Sequence, residues 1–265
     1  MRRMDKSWVF ESTYYPVTLI TFCVTMLLYR KVVPLFGTKI TKSYTNLSVE
    51  DRHSWNFRFV SCFHSLLVSV ACFYTLLCDE VVSNDPVWSD RPLVRLNCAM
   101  VSGFFMADTV SLVLDYEQNM DTFKYYVHHA ATIYAFYYVY TYGVMPYFAN
   151  FRLMTVLSTA FVNIRWMFDK ANVDRSSTMY VLHRRIAAVT FILTRIFSIP
   201  FYWYTVYTYI GSEDFALLGN KLYVMIITCV PLDVLNVLWG IGIIKSVCKG
   251  SRSSSCEIVN GISKT

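Results

Sequence analysis

Two adjacent histidines, His128 and His129, interrupt the otherwise apolar run YYVHHAATIYAF. A neutral imidazole near pH 7 can take a proton from an attacking amine or hydroxyl, or carry an acyl group as a nucleophile. Successive residues on a helix lie about 100° apart, so the two rings cannot face the same point. We therefore expect one ring to face the interior and the other to face a neighbouring helix. Catalysis and simple hydrogen bonding between helices are both open interpretations of the doublet.

Other polar side chains also lie within long apolar runs. Asp108, in SGFFMADTVSLVL, is the candidate carboxylate that would orient a catalytic histidine. The candidates for contact with the polar part of a lipid are His64, Asn150, Arg152, Arg195, Asp233 and Asn236. A charge at the centre of a bilayer costs about 2.5 kcal/mol or more unless it faces protein or water. An ion pair between Arg195 and either Asp108 or Asp233 is the expected structural role of these charges.

The motifs of several other chemistries are absent from the sequence. It contains no glycine-rich phosphate loop, HExxH, GxSxG or ligand-spaced array of cysteine and histidine. Adjacent histidines diverge on a helix, so His128 and His129 make a poor metal site even with Asp108. We expect no metal and no cofactor, with acyl-CoA as a substrate if the protein is an enzyme.

These residues must be positioned by helices that cross a membrane. The chain has 265 residues, of which 55% are hydrophobic. A spanning helix needs about 20 mainly apolar residues. Six runs meet this length: 12–29, 59–78, 96–114, 125–151, 186–212 and 222–244. A weaker seventh run lies near 148–166. The run 125–151 is too long for one crossing, and Gly143 with Pro146 predicts its end. The sequence thus predicts an all-α integral membrane protein with about seven transmembrane helices.

The positions of lysine and arginine predict the orientation. Basic residues in short loops mark the cytoplasmic side of a membrane. They concentrate in the connection at 30–58, in the connection at 165–185 and after residue 244. Seven crossings place all three on one side, so the N-terminus is expected in the lumen and the tail in the cytoplasm. The sequon at Asn46 then lies in the cytoplasm and is expected to carry no glycan.

The net charge of +6 does not predict nucleic-acid binding, because the basic residues cluster at the ends of the apolar runs. Lipid headgroups explain that placement better. The eight cysteines show no CxxC spacing and predict neither a disulfide framework nor a zinc site. Cys248 and Cys256 follow the last span beside basic residues, where palmitoylation or ordinary free thiols are both open. Membrane lipids are the expected partners, and homo-oligomer formation is left open.

An ordered series of motifs resembles the TLC-domain family, which includes the ceramide synthases. The series is WNFRFVSCFHS at 55–65, then the DPVW loop, SGFFMAD, HHAATI and NFRL. The likeness covers about 51–248. It implies six helices that form a barrel around a lipid cavity, here preceded by one extra helix. Residues 1–50 would then be an N-terminal region with the first transmembrane helix and a basic loop, 51–248 the TLC domain, and 249–265 a disordered cytoplasmic tail.

In the ceramide synthases the histidine pair serves acyl transfer, together with two aspartates in a following motif. His128 and His129 match the pair, and Asn150 and Arg152 match approximately. The stretch that corresponds to the aspartate motif reads VLSTA at 156–160, so both carboxylates are missing. Asp108 or Asp233 could supply a carboxylate from another helix. The resemblance also implies the endoplasmic reticulum as the location.

Two functions follow, and a channel is disfavoured because few charged groups line the helices. The first is a lipid-handling protein that acts in membrane lipid homeostasis, with His128, His129 and Asp108 at the polar end of a bound lipid. The alternative is an acyl-CoA-dependent acyltransferase, with a histidine as base or acyl carrier and Arg152 near the CoA phosphates. Acyl transfer requires a cationic cytoplasmic mouth for CoA, for which the candidate residues are Arg165, Lys170, Arg184 and Arg185.

Overall fold

The structure, a computed structural model, describes residues 10–115 and 118–262, with side chains described as far as Lys245. The described residues are almost entirely helical. The helices are α1 (Tyr15–Ile40), α2 (Val49–Cys78), α3 (Glu80–Asn84), α4 (Pro92–Asp115), α5 (Met120–Tyr142), α6 (Pro146–Leu153), α7 (Val156–Lys170), α8 (Thr178–Tyr209), α9 (Glu213–Leu218) and α10 (Leu222–Ile262). Helix α1 contains a π-helical turn at Leu28–Val32 and α8 contains one at Ile192–Phe197.

Five helices, α1, α2, α4, α8 and the stretch Glu213–Lys245, are long and apolar enough to cross a membrane. This fits an integral multi-pass membrane protein. The fourth predicted crossing, α5, is long enough at 23 residues but is not among these apolar helices, and the fifth falls on the shorter α6 and α7. The count of seven stays a prediction. The helical backbone of α10 continues to Ile262, through most of the segment 249–265 predicted as a disordered tail, and residues 263–265 lie outside the described residues.

The break predicted inside the run 125–151 is confirmed. Helix α5 ends at Tyr142, and Gly143 follows with a φ of +67°, in the left-handed region that favours glycine. A Cβ on Gly143 would also lie 2.2 Å from a guanidinium nitrogen of Arg95. The chain resumes as α6 at Pro146, whose fixed φ suits the first turn of a helix. The first turn of α5 is capped by Asn119, whose side-chain oxygen accepts the backbone N–H groups of Asp121 and Thr122.

Six helices pack in a closed cycle of neighbours. In order, α2 contacts α4, α4 contacts α5, α5 contacts α10, α10 contacts α8, α8 contacts α7, and α7 returns to α2. Helix α1 packs on α4 outside this cycle, and close approach is possible because Gly103 of α4 faces the backbone of Thr18. Large apolar side chains of α2, including Phe63, Leu67 and Val70, are exposed. An apolar outer surface around a partly polar interior suits a lipid environment.

Candidate functional site

A cavity of about 710 Å³ lies inside the cycle of six helices. On α5 its lining residues recur every three or four positions from Asp121 to Val139, which is the spacing of one helix face. At a rise of 1.5 Å per residue, that face extends about 27 Å along the helix. The cavity is therefore long, on the scale of the hydrocarbon core of one bilayer, about 30 Å.

The two ends of the cavity differ in polarity. Near the N-terminus of α5 the lining includes Arg58, Asp121 and Arg165. Towards the C-terminus of α5 the lining is mainly apolar and includes Val144, Phe148 and Met225. Two cations also line this end: Lys221, whose Nζ lies 5.5 Å from the ring centroid of Tyr142, and Arg152, which is paired with Asp233. A cavity with unequal polarity at its two ends can accommodate an amphiphile.

His129 is buried and is held by α4. Its Nε2 lies 3.3 Å from Oδ2 of Asp108, and its Nδ1 lies 3.1 Å from the hydroxyl of Thr109. The Thr109 hydroxyl donates to the carbonyl of Phe105 at 2.8 Å, so its oxygen is free to accept the Nδ1 proton. With that tautomer Nε2 and the Asp108 carboxylate are both acceptors, so a hydrogen bond between them requires one further proton. The structure places Asp108 next to His129, and its role in orienting a catalytic ring stays a prediction.

His128 faces the cavity. Its ring makes edge contacts with Phe105 and Trp239, at centroid distances of 5.4 Å in each case. Its Nδ1 is buried and has no hydrogen-bond partner among the described residues. The two rings diverge as the helical spacing predicts, with a centroid separation of 5.8 Å. Of the two rings, His128 has no partner on Nδ1 in the described part of the chain, whereas both nitrogens of His129 face side chains of α4.

Arg195 projects from the π-helical turn of α8 into the cavity. Its guanidinium donates to three neutral oxygens: the Ser158 hydroxyl at 2.8 Å, the Thr159 hydroxyl at 3.0 Å and the Asn236 amide at 3.0 Å. A π turn inserts one residue into a helix and is found often at functional sites. Near this π-helical turn, three hydroxyl groups donate hydrogen bonds to the backbone carbonyl four residues earlier: those of Thr190, Thr194 and Ser198.

Arg152, on α6, is neutralised within the protein. Its guanidinium makes a two-point hydrogen bond with the carboxylate of Asp233, and the second of these bonds measures 3.0 Å. Asp233 also accepts the indole N–H of Trp203 at 2.7 Å, and the guanidinium stacks 3.7 Å from the centroid of Tyr202. Planar pairing with a carboxylate and stacking on an aromatic ring are the contacts that suit arginine best.

The expected ion pair between Arg195 and an aspartate is wrong. Asp233 pairs with Arg152, and Asp108 faces His129. Sequence spacing could not decide this, because the choice depends on which faces of α6, α8 and α10 meet. Seven of the nine predicted site residues line the cavity: His64, Asp108, His128, His129, Arg152, Arg195 and Asn236. Asp233 lies behind Arg152, and Asn150 is fully buried, with its amide donating to the Pro146 carbonyl.

The polar end of the cavity differs in part from the predicted cationic mouth. Arg165 lines the cavity, as predicted, whereas Lys170 is paired with Asp51 at 2.7 Å. Sequence analysis missed Arg58, which lines the cavity, donates to Asn163 at 2.7 Å and stacks on Trp166. The signal was present in the motif WNFRFV, where Arg58 follows Trp55 by about one turn on α2. A basic residue at this position is equally typical of a cytoplasmic loop, so the sequence does not distinguish a cavity-lining arginine from one that only sets the topology.

Among the side chains described, those of residues 10–115 and 118–245, no group of three or more His, Cys, Asp or Glu is placed to hold a metal ion. The polar groups of the cavity offer acid–base, nucleophilic and hydrogen-bonding chemistry through His128, His129, Asp108 and Arg195.

Comparison with known proteins gives one family and several relatives. The family model described as the TLC domain matches residues 54–245. TLC domain-containing protein 4-B of Danio rerio is 42% identical over 209 residues, which cover 78% of this chain and 79% of the relative. TLC domain-containing protein 4 of Homo sapiens is 36% identical over 234 residues, covering 88% and 89% of the two chains. No solved structure shows a significant match.

Proposed function

The chain belongs to the TLC domain family, and from this membership and the cavity we propose that it is a lipid-handling membrane protein that acts in membrane lipid homeostasis. In this proposal the six-helix cycle is a barrel that holds an acyl chain. Residence in the endoplasmic reticulum with the tail in the cytoplasm belongs to the same proposal. The observation that carries it is the long cavity of about 710 Å³, whose lining is mainly apolar along one half and carries Arg58, Asp121 and Arg165 at the opposite end.

The placement of the polar groups supports this assignment. An acyl chain that lies along α5 would put its apolar part against Val144 and Phe148 and its polar part near His128 and Arg195. A lipid that enters from the bilayer exchanges one apolar environment for another, so its chain gains mainly packing contacts and little hydrophobic free energy. The polar groups then select the headgroup, because unpaired buried donors and acceptors are costly.

Lipid co-purification tests the proposal. The protein is purified in nanodiscs or mild detergent, and bound lipid is extracted and identified by mass spectrometry. Ala135→Trp places a large ring in the cavity lining of α5, whereas Ala130→Trp places the same ring on the exposed face of the same helix. We expect the first variant to lose co-purifying lipid and the second to keep it. Equal lipid content in all three proteins, or none in the wild type, contradicts the proposal.

The acyltransferase is the second candidate, and one observation favours it. His129 and Asp108 form a close pair, and the ring of His128 lines the same cavity next to them. An acyl group on a thioester would meet a nucleophilic ring next to an oriented imidazole and carboxylate. Arg58 and Arg165 supply cationic lining at the polar end, where a CoA phosphate would enter. The charge of Arg152, in contrast, is already neutralised by Asp233.

Purified protein offered labelled acyl-CoA with a panel of lipid amines and alcohols separates the two candidates. Transfer by the wild type that is lost in a folded His128→Ala/His129→Ala double variant establishes an enzyme. A wild type that co-purifies with lipid but transfers no acyl group leaves the lipid-handling function and makes the histidines part of the cavity lining.

A further inference from the structure

Arg195 differs from two other arginines that lie deep in the fold, although Arg58, near the polar end of the cavity, also has a neutral acceptor, Asn163. Arg95 is paired with Asp90 at 2.5 Å and Arg152 with Asp233, whereas Arg195 has only neutral acceptors among the described residues. A guanidinium has five N–H donors, and three hydrogen bonds from Arg195 are present. Two donors therefore remain for a ligand in the cavity that Arg195 lines.

Neither carboxylate that lines the cavity is paired with Arg195. Oδ2 of Asp108 lies 3.3 Å from Nε2 of His129, and the backbone carbonyl of Asp108 accepts the Ser111 hydroxyl at 2.9 Å. Asp121 pairs with Lys124 at 2.7 Å. A buried cation without a counter-ion pays a desolvation cost that neutral hydrogen bonds offset only in part. An anion that enters from outside the chain and binds Arg195 directly would balance this charge.

The three neutral acceptors also fix the orientation of the guanidinium. Ser158 and Thr159 hold it from α7, Asn236 holds it from α10, and the ring of Phe191 lies 5.0 Å below it. A cation held in one orientation before binding spends less free energy on ordering when its ligand arrives. The π-helical turn that carries Arg195 is a second feature of the backbone that marks this position.

We propose that Arg195 is the anion-binding residue of the cavity and that the ligand is an anionic amphiphile, with a carboxylate or phosphate oxygen on the guanidinium and its apolar tail towards Phe148 and Met225. This inference rests on the proposed function and narrows it, since a neutral lipid would leave the charge of Arg195 unbalanced. Carboxylates and phosphates share the recognition chemistry, because both present paired oxygens to a planar fork of N–H donors.

Asn236→Asp gives the sharpest test, because it replaces one atom and puts a carboxylate 3.0 Å from the guanidinium. An internal counter-ion would then occupy the place of the ligand's anion. We expect palmitate binding to the protein in nanodiscs to weaken about ten- to a hundredfold, the loss of one charge-assisted hydrogen bond. Binding of the alcohol of the same chain length is expected to stay unchanged.

Asn163→Asp is the matched control. It makes the same one-atom change at another cavity-lining asparagine, which bonds Arg58 instead of Arg195. Palmitate binding that falls in Asn163→Asp but not in Asn236→Asp would overturn the assignment to Arg195. Arg195→Gln, checked for folding by size exclusion and thermal unfolding, provides a second variant. It is expected to lose the preference for palmitate over the alcohol.

Further ligands separate the remaining outcomes. A long-chain alkyl phosphate that binds more tightly than palmitate and responds to the same variants supports a phosphate headgroup, and the reverse supports a carboxylate. If inorganic phosphate alone displaces palmitate, the claim that the ligand is an amphiphile is overturned, because the tail would then contribute nothing to affinity. If the wild type and Asn236→Asp each bind palmitate and the alcohol with the same affinity, the role of Arg195 is refuted and the lipid cavity stands. If the wild type binds neither palmitate nor the alcohol, the role of Arg195 and the lipid-handling function are both refuted.

Discussion

Helix α10 presents different side chains to two buried arginines. Its Asp233 gives Arg152 a carboxylate, and its Asn236, three residues further on, gives Arg195 an amide. The two contacts lie about 4.5 Å apart along the helix axis. Arg152 is therefore part of an internal ion pair that joins α6 to α10, whereas Arg195 keeps an unbalanced charge at the cavity. The difference indicates that one arginine stabilises the fold and the other is available for a ligand.

The largest effect is expected when the ion pair is broken on one side. Asp233→Asn leaves Arg152 buried without a counter-ion. It also weakens the hydrogen bond that the side chain of residue 233 accepts from the Trp203 indole. Breaking a buried pair in this way costs about 3–5 kcal/mol of unfolding free energy. A lower midpoint of thermal unfolding in detergent, or loss of the monodisperse species, checks the prediction. A wild-type midpoint would show that Arg152 is not held by this pair.

Removing both charges of the Arg152–Asp233 pair tests whether charge balance makes this contact important. In the Arg152→Met/Asp233→Leu double variant no charge is left unpaired at this position, and apolar side chains fill a similar volume. Such replacements are often neutral in stability. We expect the midpoint to return most of the way to that of the wild type. A double variant as unstable as Asp233→Asn alone would mean that packing on Tyr202, and not charge balance, makes this contact important.

Arg195→Met is expected to destabilise the fold less than Arg152→Met. It leaves three neutral acceptors, Ser158, Thr159 and Asn236, without a donor, at a cost of about 1–3 kcal/mol for each that finds no other partner. The same change removes the desolvation cost of a cation without a counter-ion, which offsets this loss. Arg152→Met leaves the Asp233 carboxylate buried, which costs more. Thermal unfolding of the two single variants side by side measures the order. Equal losses would remove the distinction between a structural and a ligand-binding arginine.

No change in mass on glycosidase treatment is expected at the sequon of Asn46. This residue is exposed in the connection between α1 and α2, and the charge pattern places that connection in the cytoplasm. Glycosidase treatment of protein expressed in animal cells should leave its mobility unchanged. A shift would reverse the orientation, so that the end of the cavity near Arg58 would face the lumen and cytoplasmic acyl-CoA could not enter there.

Much of the fold follows from local features of the sequence. Apolar runs of the length of a bilayer predict the long helices, and Gly143 with Pro146 predicts the break between α5 and α6 because their backbone preferences are local. The divergence of His128 and His129 follows from helix geometry alone. The length of the weakest crossing was harder to judge, because α6 and α7 are short and their polar residues face the interior, where neighbours compensate for low hydropathy.

Composition and helical period are enough to show which residues are too polar to face lipid. They also single out Arg165, which lines the cationic end of the cavity. Which acid meets which base depends instead on how the helices pack. Arg152 and Arg195 were equivalent in the sequence as cations within apolar runs. Their roles separated because the rotation of α10 about its axis brings Asp233 to one and Asn236 to the other, and pairing across helices depends on that rotation, which no single segment encodes.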